Sequence, residues 1–206
     1  MSSIWSDTGW RGRLKERLEP LLKSPNLLAE ISTYQGVPFA LFVYPPIDER
    51  ELRREAAMLA TRVEHEAGRK VHLISMADLV WKAIREAFPP DGGPLFDAER
   101  SFRDDEPERR LERLQGQMEQ LLSEVSPLPR MIEEKAEGCS PEKHVLFLGR
   151  VGTLFPAYRA SALLESLMGA VRIPTVLFYP GSRSGTNSLR FMDSLDAVHS
   201  YRHRIY

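Results

Sequence analysis

The residues best equipped for chemistry gather in the last third of the chain. Arg150 follows an apolar run, and Tyr158 and Arg159 come soon after it. The segment Gly181-Ser-Arg-Ser-Gly-Thr-Asn187 sets Arg183 among small hydrogen-bonding residues. Glycines let backbone approach a ligand closely, and arginines supply charge-assisted hydrogen bonds, so this set can hold an anion. The same composition also makes a turn with solvated arginines. The sequence leaves both readings open.

Other chemistries find little support. Cys139 is the only cysteine, which excludes disulfide frameworks and multi-thiolate zinc sites within the chain. It reads as an ordinary reduced thiol. His65, His72, His144, His199 and His203 are scattered and read as surface residues. His199 and His203 have helical metal-ligand spacing but no acidic partner to complete a set. Neither H-E-x-x-H nor G-x-S-x-G occurs, and no G-x-G-x-x-G follows a strand. Asp193 with Asp196, and Asp104-Asp105-Glu106, read as solvated charge. The segment Val43-Tyr-Pro-Pro-Ile-Asp48 stands where a phosphate-binding loop is expected. It has no glycine and no Lys-Ser/Thr pair, and prolines cannot donate N–H groups to a phosphate. The expectation is no catalytic set, no bound cofactor and no metal site.

The elements that position these residues read as an α/β fold. Pro38 to Tyr44, His144 to Leu148 and Thr175 to Tyr179 are short apolar runs, as strands buried on both faces require, and Val71 to Ser75 reads as a second short strand. Pro45-Pro46 and Pro180-Gly181 are expected to stop two of them. Leu189 to Met192 reads as a fifth strand. Helices are expected over Trp10 to Lys23, a short stretch to Ile31, Glu49 to Gly68, Met76 to Phe88 and Pro156 to Met168, from apolar stripes at helical spacing. Asp48 with Glu51, and Ser75 with Asp78, read as N-terminal caps, and Gly68 as a C-terminal stop. Alternation of strand and helix predicts a mostly parallel central sheet of about five strands flanked by helices. This is a three-layer, P-loop-like arrangement without a Walker A motif.

The connection between the second and third strands runs to almost seventy residues. Residues 95–138 read as a charged helical insertion within one domain spanning 1–206. Pro107 either splits its first helix or marks the true start. Leu111, Leu114, Met118, Leu121 and Val125 form a 3-4-3-4 seam. Two heptads are too few to specify a coiled coil. The helix therefore either packs on its own domain or projects, with a helix over Met131 to Glu137, to meet a partner.

Lys plus Arg number 28 against 29 Asp plus Glu, so no global field draws in nucleic acid or an anionic membrane. No apolar run reaches the roughly 20 residues that span a bilayer, and the start lacks a signal peptide pattern. A cytoplasmic location is expected.

The blocks Pro38-Phe-Ala-Leu-Phe-Val-Tyr-Pro-Pro46, Glu51-Leu-Arg-Arg-Glu55, Val151-Gly-Thr-Leu-Phe-Pro156 and Ile173 to Gly181, together with Arg159 and the terminal Asp196 and Tyr201-Arg202, make the chain resemble the BrxB family of bacterial BREX phage-defence systems. The resemblance implies a non-catalytic adaptor in a multi-protein system that includes an ATPase, a DNA adenine methyltransferase and the phosphatase-fold protein PglZ. PglZ is the implied direct partner. The implied role is to support host DNA methylation and phage restriction. Arg150, Tyr158, Arg159, Gly181, Arg183, Tyr201 and Arg202 then form a candidate interaction or anion-binding rim. Two other readings stand beside this one. A small-molecule or nucleotide-binding enzyme would use the Gly181–Asn187 loop. A DNA-contacting subunit would use Arg150, Arg159, Arg183, Arg190, Arg202 and Arg204.

Overall fold

Each apolar run between turn signals becomes a strand, and each amphipathic stripe becomes a helix laid on the resulting sheet. The computed structural model describes residues 9–32, 37–88, 106–183, 188–193, 198–199 and 204–206. Strands β1 (Phe39–Tyr44), β2 (Lys70–Ser75), β3 (His144–Gly149), β4 (Thr175–Arg183) and β7 (Arg204–Ile205) form a parallel sheet in the order β2-β3-β4-β1-β7. The C-terminal part of β4 also pairs antiparallel with β5 (Ser188–Phe191), and β5 with β6 (Val198–His199). The expected three-layer architecture is therefore present.

Side chains of a strand alternate between faces, and β1 shows the consequence. Phe39, Leu41 and Val43 enter one core cluster, while Ala40, Phe42 and Tyr44 enter the other. The first cluster is closed by α4 (Met76–Ala87), the end of α5 (Pro107–Gln120, continued by a π-helical turn Leu121–Val125), α6 (Leu128–Ala136) and α7 (Ala160–Leu167). The second is closed by α1, α2 (Leu27–Ile31) and α3 (Glu49–Ala67). Helix α1 runs through Trp10–Arg13, a π-helical turn Leu14–Leu18 and Glu19–Lys23. A buried carboxylate joins α1 to α3: Arg62 donates to Glu19 at 2.8 and 2.9 Å, and Lys23 donates to it at 2.6 Å.

Several local expectations are met. Ser75 Oγ accepts from Asp78 N–H at 3.3 Å and caps α4. Gly68 ends α3 at φ +65°, a left-handed conformation that costs a residue with a Cβ. Pro107 is the first residue of α5, with Glu106 non-helical before it. Residues 95–105 of the expected insertion lie outside the described residues.

Others are corrected. Asp48 does not cap α3 through its side chain; its Oδ2 accepts from Trp10 Nε1 at 2.8 Å, and Glu51 pairs with Arg11. Both carboxylates are claimed by α1, a competitor far away in sequence. Strand β4 does not stop at Pro180-Gly181 but continues to Arg183. Pro180 offers its carbonyl to Met192 N–H at 2.9 Å. Gly181, at φ +153°, lies so close to β5 that an added Cβ would stand 1.9 Å from the Arg190 carbonyl oxygen. A bend that only glycine permits thus turns a parallel strand into one arm of an antiparallel ribbon. The helix expected from Pro156 starts at Ala160. A 3-10 turn, Val151–Leu154, precedes it, and Phe155 is extended, as a residue before proline tends to be. The expected helix from Met131 begins earlier, at Leu128, and its Leu128, Met131 and Ile132 are buried in the core.

Candidate functional site

The carboxyl ends of β1, β3 and β4 converge on a recess of about 260 Å³. This is where a parallel α/β sheet ordinarily binds ligands, since consecutive connections leave for opposite faces there. After β1 the connection is α3, on one face, and after β3 it is α7, on the other. The recess is lined by Glu49, Arg53, Arg150, Thr153, Pro180 and Met192, among others.

The loop after β1 is tied down. Pro45 and Pro46 have no N–H, and the N–H of Asp48 is donated to Pro45 carbonyl at 3.0 Å. Arg13 Nη2 donates to Val43 carbonyl at 2.7 Å, and the Tyr44 hydroxyl donates to Glu49. Burial, reinforced by Glu49, pushes the Tyr44 phenol far above its ordinary range. Backbone here is engaged in holding α1 and α3 rather than exposed as a phosphate cradle.

The loop after β3 is the strained one. Arg150 sits at φ 57° in the left-handed region, and Met192, across the recess, at φ 55°. Such non-glycine conformations cost about 1–3 kcal/mol each and concentrate where a side chain must be aimed. Arg150 aims its guanidinium at Asp78, 3.5 Å away, linking the ends of β2 and β3. Arg53 lies 3.7 Å from Glu49. The recess therefore presents two guanidinium groups, each already facing a carboxylate.

The expected rim divides. Tyr158 is buried in the core, where desolvation raises its pKa, and it cannot serve as an exposed contact. Arg159 is exposed at the start of α7. Gly181 and Arg183 belong to a strand and not to a loop. Burial lowers the pKa of Arg183, and the nearby charges of Arg13 and Arg17 lower it further. The structure thus brings Arg183 together with two arginines of α1 that sequence reading did not connect with it. Residues 184–187 of the loop, Tyr201 and Arg202 lie outside the described residues. The partner seam also divides. Leu121 is buried and Met118 packs against the core, whereas Leu111 and Val125 are 53% and 62% exposed.

At the opposite end of the sheet the structure assembles a group that sequence reading missed. His72 on β2, Cys139 before β3 and His144 on β3 lie together, all half-buried. Two of the histidines expected at the surface are thus drawn inward. Burial, the neighbouring His144 and Lys70 hold the His72 pKa below its ordinary value. The signal available beforehand was the Cys139-x4-His144 spacing at the mouth of a strand; His72 is distant in sequence and required the β2–β3 pairing.

Residues 73–205, from within β2 to β7, match the family described as BREX protein BrxB. The chain belongs to the BrxB family. It is accordingly a component of a BREX phage-defence system. The BrxB match covers Arg150, the α5–α6 region and the β4–β5 ribbon. It leaves out the Pro38–Pro46 and Glu51–Glu55 blocks, although β1 lies within the same sheet. No curated protein and no solved structure matches the chain. None of the described helices is long and apolar enough to cross a membrane.

Proposed function

We propose that this chain is a non-catalytic interaction subunit of a BREX assembly, working in the cytoplasm with PglZ as its direct partner. In this reading it supports host DNA methylation and phage restriction by holding other components together, the ATPase and the methyltransferase among them. Membership of the BrxB family carries the reading.

The physical support comes from α5. Its Pro107–Gln120 part is 14 residues long and has no buried residue. Isolated helices of that length are marginal in water, and most helical stability comes from packing an apolar face. Leu111 and Leu114 supply such a face, and Leu111 is left exposed. A partner that covers it would stabilise the helix and gain apolar contact in one step. A standard stable interface removes about 1,600 Å² in total, more than one helix face provides. The partner would therefore also reach surface beyond this helix.

The test is co-expression with PglZ followed by affinity capture and size exclusion at physiological salt. Co-elution is expected, with loss of capture in a Leu111→Glu, Leu114→Glu double variant whose thermal midpoint stays at the wild-type value. Separate elution of the chain from PglZ and from each other BREX component would refute the adaptor role.

A further inference from the structure

We propose that His72, Cys139 and His144 form a binding site for a divalent transition-metal ion, with zinc the best match. The proposal replaces the sequence-based expectation of an inert thiol and no metal ligands.

The ligand chemistry is the first argument. One thiolate and two imidazoles are a zinc-binding set, and three protein ligands leave the fourth tetrahedral position for water. Thiolate and imidazole together select borderline and soft ions over magnesium or calcium, which require oxygen.

The geometry is the second. One ligand atom from each residue lies within 4.8 Å of the other two. Cys139 Sγ and His72 Nε2 stand 3.5 Å apart. Zinc bonds of about 2.3 Å to sulfur and about 2.0 Å to nitrogen hold those atoms about 3.5 Å apart at a tetrahedral angle. That pair already has the spacing of a loaded site. The remaining separations need to close by at most about 1.5 Å, within the reach of side-chain rotation.

The scaffold is the third. His72 pairs in register with Leu146, and Lys70 with His144, so the two histidines are diagonal neighbours on one face of adjacent strands. Their rings lie 5.3 Å apart. Ser140 orients the His144 ring: its N–H donates to Nδ1 at 2.8 Å, and its carbonyl lies 3.2 Å from the same nitrogen. Zinc at His144 Nε2 requires the proton on Nδ1, where it donates to the Ser140 carbonyl in place of accepting the Ser140 N–H; a donated ring N–H is the support that metal-binding histidines usually have. Cys139 is held by its own N–H, donated to Ala136 carbonyl at 3.0 Å. Cys139 also lines a recess of about 600 Å³, together with Arg130, Glu133, Glu137 and Arg172, among others. The bound ion would tie the edge strand β2 to the turn that leads into β3.

The test uses the full chain, freed of tags and stripped with a chelator. Cobalt(II) is added as a spectroscopic probe and zinc is measured in competition with a chromophoric chelator. One equivalent of cobalt is expected, with a thiolate-to-cobalt charge-transfer band that zinc abolishes. Cys139→Ser is expected to remove the band, and His72→Ala and His144→Ala each to weaken zinc binding at least about 10–100-fold, as loss of a support or ligand does. Because Cys139 is the sole thiol, a second readout needs no variant: zinc is expected to protect the wild-type chain from alkylation. The proposal is overturned if the wild-type chain shows no thiolate–cobalt band and no protection. It is equally overturned if Cys139→Ser and His72→Ala retain wild-type zinc affinity.

Discussion

Replacing Glu19 with glutamine should weaken the attachment of α1 to α3 in a pH-dependent way. Glu19 is 8% exposed and receives a two-pronged guanidinium from Arg62 and an ammonium from Lys23. The hydrogen bonds from Arg62 are the largest influence, burial opposes them, and Lys23 adds to them. Together they bring the carboxyl from 4.5 to about 2. At about 1.4 kcal/mol per tenfold change in proton affinity, that displacement amounts to about 3 kcal/mol of folding stability. The sign follows from proton uptake. The unfolded chain binds this proton near the ordinary carboxylate value and the folded chain resists it, so the contribution is complete above about pH 5 and is lost as pH falls toward about 2. About 1.4 kcal/mol of it should be gone at about pH 3.5. Urea titrations of wild type and Glu19→Gln, followed by circular dichroism at several pH values, measure the difference directly. It should be about 3 kcal/mol near neutrality and shrink through the acid window. A difference below about 0.5 kcal/mol at neutral pH, the range of an ordinary surface substitution, would refute the reasoning. So would a difference that stays constant from about pH 5 to about pH 3.

Further outcomes follow from the structure. Gly181→Ala should cost about 3 kcal/mol or more in denaturant titrations, because its Cβ would meet backbone 1.9 Å away. Gly68→Ala should cost only about 1 kcal/mol, because its φ is also positive but the space beside it is open; equal costs would contradict the β4–β5 contact. Ser75→Ala should lose about 1 kcal/mol through the uncapped α4 terminus, whereas Asp48→Asn should leave α3 helicity unchanged, because Asp48 makes no capping bond. Millimolar phosphate or nucleotides should leave the thermal midpoint unmoved. A ligand present at a hundred times its dissociation constant would add about 2.7 kcal/mol, so a clear upward shift would favour an anion site at the recess over a purely structural role.

What the chain determined by itself was local and repetitive. The apolar runs became β1, β3 and β4 because a strand buried on both faces needs several consecutive hydrophobes, whereas β2, at the end of the strand order, leaves Lys70 and Leu73 exposed. Leu52, Ala56, Leu59, Ala60 and Val63 face the core of α3 because their spacing places them on one side of a helix. Ser75 and Gly68 act within a few residues of themselves, so their roles were legible. Tertiary structure decided every role that depended on a distant partner. Asp48 was taken from its cap by Trp10, Tyr158 was drawn into the core, and Pro180-Gly181 became a bend because β5 came to lie beside it. Arg183 met Arg13 and Arg17, and His72 met Cys139 and His144, only once parallel pairing had joined segments far apart in the chain. Backbone preference and periodicity act over a turn or a pleat, whereas a site needs side chains whose separation is set by strand order and register, and those are chosen by the packing of the whole sheet.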